Sequence, residues 1–77
     1  MHTFDTNEVT LAREIAETLN DQGSITHFLT FCRNYKESFL RDMLARAMAT
    51  PQRKIKKTRG ALFTYLVNLY GEEHARS

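Results

Sequence analysis

Tryptophan is missing from this sequence, proline and cysteine occur once each (Pro51, Cys32), and glycine occurs three times in 77 residues. A single cysteine excludes an intramolecular disulfide and, with it, the stapled small domains of oxidising compartments. A reducing, cytoplasmic setting is the simplest expectation. Scarce proline and glycine leave long stretches free to run as regular structure. The longest apolar stretch, around Ala61 to Tyr70, is interrupted by Thr64 and Asn68. It falls far short of the ~20 residues that cross a bilayer, so no membrane association is expected. The first dozen residues hold Asp5 and Glu8 and none of the apolar character of a secretory leader.

Chemistry-bearing constellations are equally sparse. His2, His27 and His74 are scattered, at no ligand spacing from Cys32 or from a carboxylate cluster. No metal and no cofactor is therefore expected. Paired carboxylates, a glycine-rich phosphate loop and any Ser/His/Asp-like set are absent. Cys32 has no histidine near it in sequence and reads as a buried structural thiol. Catalysis is not expected.

What is present is helical pattern. With 42% hydrophobic residues the chain has a globular composition, and its length allows one domain, residues 1–77. A core of this size supplies only ~3–5 kcal/mol, which makes a second subunit a natural supplement. Asp5-Thr6-Asn7-Glu8 offers N-cap candidates ahead of Val9, Ala12, Ile15, Ala16 and Leu19, which recur at helical spacing. That helix ends near Asn20, and Ser24 caps a second one with Ile25, Phe28, Leu29 and Cys32 on its apolar face. Asn34-Tyr35-Lys36-Glu37 has the form of a capping box and marks the corner to a third helix. Phe39, Leu40, Met43, Leu44, Ala47 and Met48 define that helix, which stops before Pro51. Thr50-Pro51 opens a short helical turn. Thr58 caps a fourth helix that Gly71 closes in the left-handed conformation.

The expectation is all-α: a compact bundle of four helices, about 8–20, 25–34, 35–49 and 59–70, with a helical turn near 51–55. Residues 71–77 read as a frayed tail. Helix four is apolar nearly all round, with a polar seam only at Thr64 and Asn68, which predicts burial by its neighbours or by a partner. Most aromatics fall in the core pattern. Tyr35 and Tyr70, each beside a helix end, are the two that could stack a base.

The net charge of +2 conceals a polarity. Residues 1–32 carry Arg13 against Asp5, Glu8, Glu14, Glu17 and Asp21, a net of −4. Residues 33–59 carry nine basic side chains against Glu37 and Asp42, a net of +7. The densest part is Arg53-Lys54-Ile55-Lys56-Lys57-Thr58-Arg59, immediately before a helix N-terminus, where unpaired N–H groups also favour anions. Gly60 would let a phosphate approach, and Thr58 can either donate its hydroxyl or cap the helix. Three readings compete: a nucleic acid or other polyanion, a solvated loop, and an acidic protein partner. The acidic first helix could itself neutralise the run.

The stretch Ile55-Lys56-Lys57-Thr58-Arg59-Gly60-Ala61-Leu62-Phe63-Thr64-Tyr65-Leu66 resembles the opening of the last helix in DnaD-type primosome proteins and in plasmid or phage replication initiators. It spans about a dozen residues, and Arg59 stands where those modules commonly have proline. The resemblance implies DNA contacts for Lys56, Lys57 and Arg59, with Phe63 and Leu66 packed inside. A helix-turn-helix comparison offers less, because the segment after the Asn20–Gly23 turn has only Arg33 as a basic residue.

The leading expectation is a small non-enzymatic nucleic-acid-binding module, DNA before RNA, accessory to replication or to a mobile element. Arg53, Lys54, Lys56, Lys57, Thr58, Arg59 and Gly60 form its site, extended by Arg41 and Arg46. The alternative is a protein-interaction module or homodimeric adaptor using helix four or the Met43/Met48 face.

Overall fold

Helix α1, Thr6–Leu19, ends on Asn20, whose φ of 54° places it in the left-handed region. The Asn20 N–H donates to the Glu17 carbonyl at 3.1 Å and the Asp21 N–H donates to that of Ala16 at 2.8 Å. These two bonds make a Schellman ending that satisfies carbonyls the helix itself leaves open. The chain therefore reverses sharply and delivers Asp21 to a defined place.

In the computed structural model, which describes residues 6–73, three further helices follow: α2 (Ile25–Asn34), α3 (Glu37–Ala49) and α4 (Arg59–Tyr70). Single 3-10 turns occupy Gln22–Ser24, Gln52–Lys54 and Gly71–Glu73. The all-α expectation holds, and no β-strand occurs among the described residues. α1 packs chiefly on α2 and α3 chiefly on α4. The two pairs share one core, in which Ile15, Phe28, Leu40, Phe63 and Val67 are fully buried. Phe63 meets Phe28 and Phe31 edge-on, with ring centroids 5.7 and 6.1 Å away, and so locks α4 to α2.

Several local devices differ from their sequence reading. Asn34 stays within α2, and the corner falls on Tyr35 and Lys36, both extended, with no side-chain cap for α3. The capping box does not form. Ser24 precedes α2 without a side-chain bond. The helical turn expected near 51–55 forms at Gln52–Lys54, but the Thr50 hydroxyl donates back to the Arg46 carbonyl at 2.9 Å and does not cap it. Asp5, an N-cap candidate, and residues 74–77 of the expected tail lie outside the described residues. Within the expected tail, residues 71–73 continue α4 as a 3-10 turn.

Gly71 is the clearest correction. Its φ of −67° and ψ of −28° are right-handed helical values that any residue adopts. Glycine stands there because Tyr35 does: a Cβ at Gly71 would fall 2.7–2.8 Å from the tyrosine ring and hydroxyl. Tyr35 is held in turn by Phe31 and Phe39, at ring distances of 5.9 and 5.5 Å. Gly71→Ala is therefore expected to destabilise the fold by ~1–3 kcal/mol, the usual cost of overpacking. Thermal denaturation should show a melting point lowered by roughly 4–8 °C per kcal/mol. An unchanged melting point would mean that the Tyr35 ring yields freely.

Candidate functional site

The basic run lies on the connection between α3 and α4, and one of its own members fixes it there. Arg59, at the first position of α4, donates through Nη1 to the carbonyls of Ala47 at 2.7 Å and Thr50 at 2.9 Å. Met48 and Gln52 oxygens stand further out, at 3.4 and 3.5 Å. The last carbonyls of a helix have no partner inside it, and a guanidinium fork is suited to collecting them. Arg59 thus closes the C-terminus of α3 from the start of α4, and its donors point into the protein.

Other predicted site residues are also engaged internally. Arg41 donates from Nε to Glu37 at 2.6 Å and from its terminal nitrogens to Glu14 at 2.5 and 3.2 Å. Those bonds from Arg41 hold the Glu14 carboxyl below the usual carboxylate range. Arg46 pairs with Asp42 at 3.4 Å and lies over the Tyr70 ring, 5.5 Å from its centroid. Glu8 and Glu14 of α1 therefore meet α2 and α3, Glu8 approaching Arg33 at 3.9 Å, and not the basic run.

Thr58 caps α4, its hydroxyl oxygen accepting from the Ala61 N–H at 3.0 Å. Gly60 is buried, and a Cβ there would fall 2.3 Å from an Asp21 carboxylate oxygen. An acidic side chain of the α1–α2 turn, not a phosphate, occupies the space that glycine leaves. A carboxylate beside the first turn of α4 already complements the helix dipole.

Arg53, Lys54, Lys56 and Lys57 remain. All four are exposed, and none of their side chains makes a hydrogen bond or ion pair among the described residues. Arg53 and Lys54 sit on the 3-10 turn at Gln52–Lys54, while Lys56 and Lys57 follow Ile55, whose side chain is half-buried. Beside them runs an open groove with Ile55, Leu62 and Tyr65 along its floor. Arginine at 59 and glycine at 60 thus shape the site, and the four cations upstream are what it presents.

α4 is less enclosed than its composition suggests. Gly60, Phe63 and Val67 face inward, whereas Tyr65 is 60% and Leu69 52% exposed. Met43 lies in the core and Met48 outside it. Sequence reasoning missed Tyr65 because an aromatic in a continuous apolar run gives no sign of which face it takes. Its spacing from Thr58 and Ala61 is the signal that could have placed it on an outer stripe.

Cys32 is buried, and burial first, then Glu8 and Glu37, pushes its thiol up from 9.0 to about 11. Among the described residues no helix is long and apolar enough to cross a membrane, and no three His, Cys, Asp or Glu side chains gather as a metal site. No family model, curated protein or solved structure matches the chain.

Two outcomes follow from this arrangement. Arg59→Ala should lower stability by ~1–3 kcal/mol, as hydrogen bonds from a charged group are lost and carbonyls left bare, whereas Lys56→Ala should leave the melting point within about 2–4 °C, because exposed sites away from special contacts change stability by no more than about 0.5 kcal/mol. Equal melting points for both variants would contradict the clasp. A raised thiol pKa favours the neutral, folded form, so Cys32 contributes stability below pH 9.0 that is lost as pH rises through about 11. Denaturant titrations at pH 8 and 10.5 should show wild type losing more stability than Cys32→Ala, and parallel losses would refute it.

Proposed function

We propose that this chain is a non-catalytic nucleic-acid-binding module that holds the phosphate backbone on Arg53, Lys54, Lys56 and Lys57. The observation that carries the reading is that these four cations are exposed and uncommitted, whereas Arg41, Arg46 and Arg59 have internal partners. Of the nine residues expected from sequence, these four are the ones left to meet a ligand.

Charge distribution supports a polyanion in particular. Four positive side chains within five residues create a local field far stronger than the net +2 implies. The Arg59 clasp gives the segment a fixed base, which lowers the entropy lost on binding. Contacts of this type grip phosphates and carry no sequence information directly. DNA, in an accessory role to replication or a mobile element, is the ligand suggested by the DnaD-type resemblance of residues 55–66. A protein partner is the second reading, favoured by the exposed Tyr65 and Leu69 on α4.

Counterion release makes the proposal quantitative. Each phosphate contact contributes a log–log salt slope of about −0.9 on duplex DNA, so four contacts predict about −3.6. Anisotropy of a labelled duplex across a salt series should give that value, and the Lys56→Ala/Lys57→Ala double variant should halve it to about −1.8. Asp21→Asn, which removes the nearby negative charge, should tighten binding. No binding at low salt, or a slope indifferent to the double substitution, would overturn the assignment and leave the protein-partner reading.

A further inference from the structure

We propose that Tyr65 is a base-stacking platform and that the preferred ligand is an unpaired nucleic-acid strand, its phosphates on the lysine rim and one base on the tyrosine ring. The inference rests on the phosphate-binding reading above and adds the physical form of the strand.

The groove beside the basic run joins two features that single-strand binding requires: cations that track a backbone and an aromatic face on which a base can lie. Lys54, Lys56 and Lys57 form its rim, and Ile55, Leu62 and Tyr65 its floor. Thr58, Ala61, Leu62 and Tyr65 recur at helical spacing, so the ring stands two turns into a helix whose start is pinned by the Thr58 cap. The ring is 60% exposed and makes no ring contact or hydrogen bond among the described residues.

The other two tyrosines are committed. Tyr35 lies between Phe31 and Phe39 and against Gly71, and Tyr70 carries Arg46 on its ring. A duplex hides its base faces in its own stack, and opening a step costs a few kcal/mol. An unpaired strand offers those faces freely, which makes it the better match for one bare ring beside three lysines. An acidic amphipathic helix would need a longer apolar seam than the short floor between Ile55 and Tyr65.

The test is anisotropy with labelled ten-residue oligodeoxythymidylate, oligouridylate and a short duplex, on wild type and on Tyr65→Ala, Tyr65→Leu and Tyr65→Phe. Because Tyr65 is exposed, all three variants should retain the wild-type melting point. Loss of a stacked base should weaken single-strand binding about fivefold or more in the Ala variant. The Leu variant should lose as much, the Phe variant should keep wild-type affinity, and duplex binding should not change. The tighter of the two single strands identifies the sugar preferred. Equal losses on single strand and duplex, or a Leu variant as good as wild type, would overturn stacking while leaving the phosphate reading intact if Lys56 and Lys57 still govern the salt slope. Failure of every oligonucleotide to bind at low salt would overturn both. Binding of an acidic amphipathic peptide in place of the oligonucleotides, weakened by Tyr65→Ala, would assign the groove to a protein.

Discussion

The guanidinium of Arg59 is the contact on which the functional part of this molecule depends. Helix α3 ends with carbonyls that no intrahelical donor can reach, and the connection to α4 must cross that end. One side chain resolves both demands, collecting the Ala47 and Thr50 oxygens while anchoring the first residue of α4. The intervening segment cannot then swing freely, although its side chains are almost wholly solvated. A single nitrogen, Nη1, makes these carbonyl contacts, and Nη2 reaches only the Gln52 side chain, at 3.5 Å. The dense basic run is therefore two things. Its last member is structure, and the four before it are surface.

A second constraint acts from the opposite side. Asn20 ends α1 in the left-handed conformation and turns Asp21 toward the start of α4, where Gly60 leaves room for it. The acidic N-terminal region thus reaches the start of α4 with a single carboxylate and sends Glu8 and Glu14 to Arg33 and Arg41. Among the described residues neutralisation happens between helices and within α3, and stops short of the connection. That division of charge leaves a positive surface on a small protein of modest net charge.

The helical framework was readable because helix signals are local: apolar periodicity, a proline after α3 and a threonine before α4. The Thr58 cap was legible for the same reason, since hydroxyl and acceptor lie three residues apart. The glycines were misread because their reasons are remote. Gly71 looks like a terminator in sequence, but its role is set by Tyr35, 36 residues earlier, and Gly60 answers to Asp21 in the first turn of the fold. Conversely, Asn20, an ordinary polar residue in sequence, performs the left-handed ending assigned to Gly71. Pairings across the core are likewise invisible to spacing, so Arg41, Arg46 and Arg59 looked interchangeable with the lysines.

Helix α4 brings these threads together, because its nearly uniform apolarity serves two surfaces. Phe63 and Val67 must be apolar to close the core against α2 and α3. Tyr65 and Leu69 have no such obligation, yet they too are apolar and largely exposed. Isolated exposed apolar side chains are ordinary, so Leu69 alone argues for nothing. Tyr65 differs because it stands beside a run of four uncommitted cations and shares a groove with Lys54, Lys56 and Lys57. Tyrosine joins an apolar face to a wettable hydroxyl, so it tolerates water when the groove is empty and can stack when it is filled. The same helix thereby fixes the position of the cations, through Arg59, and offers the surface against which their ligand would lie.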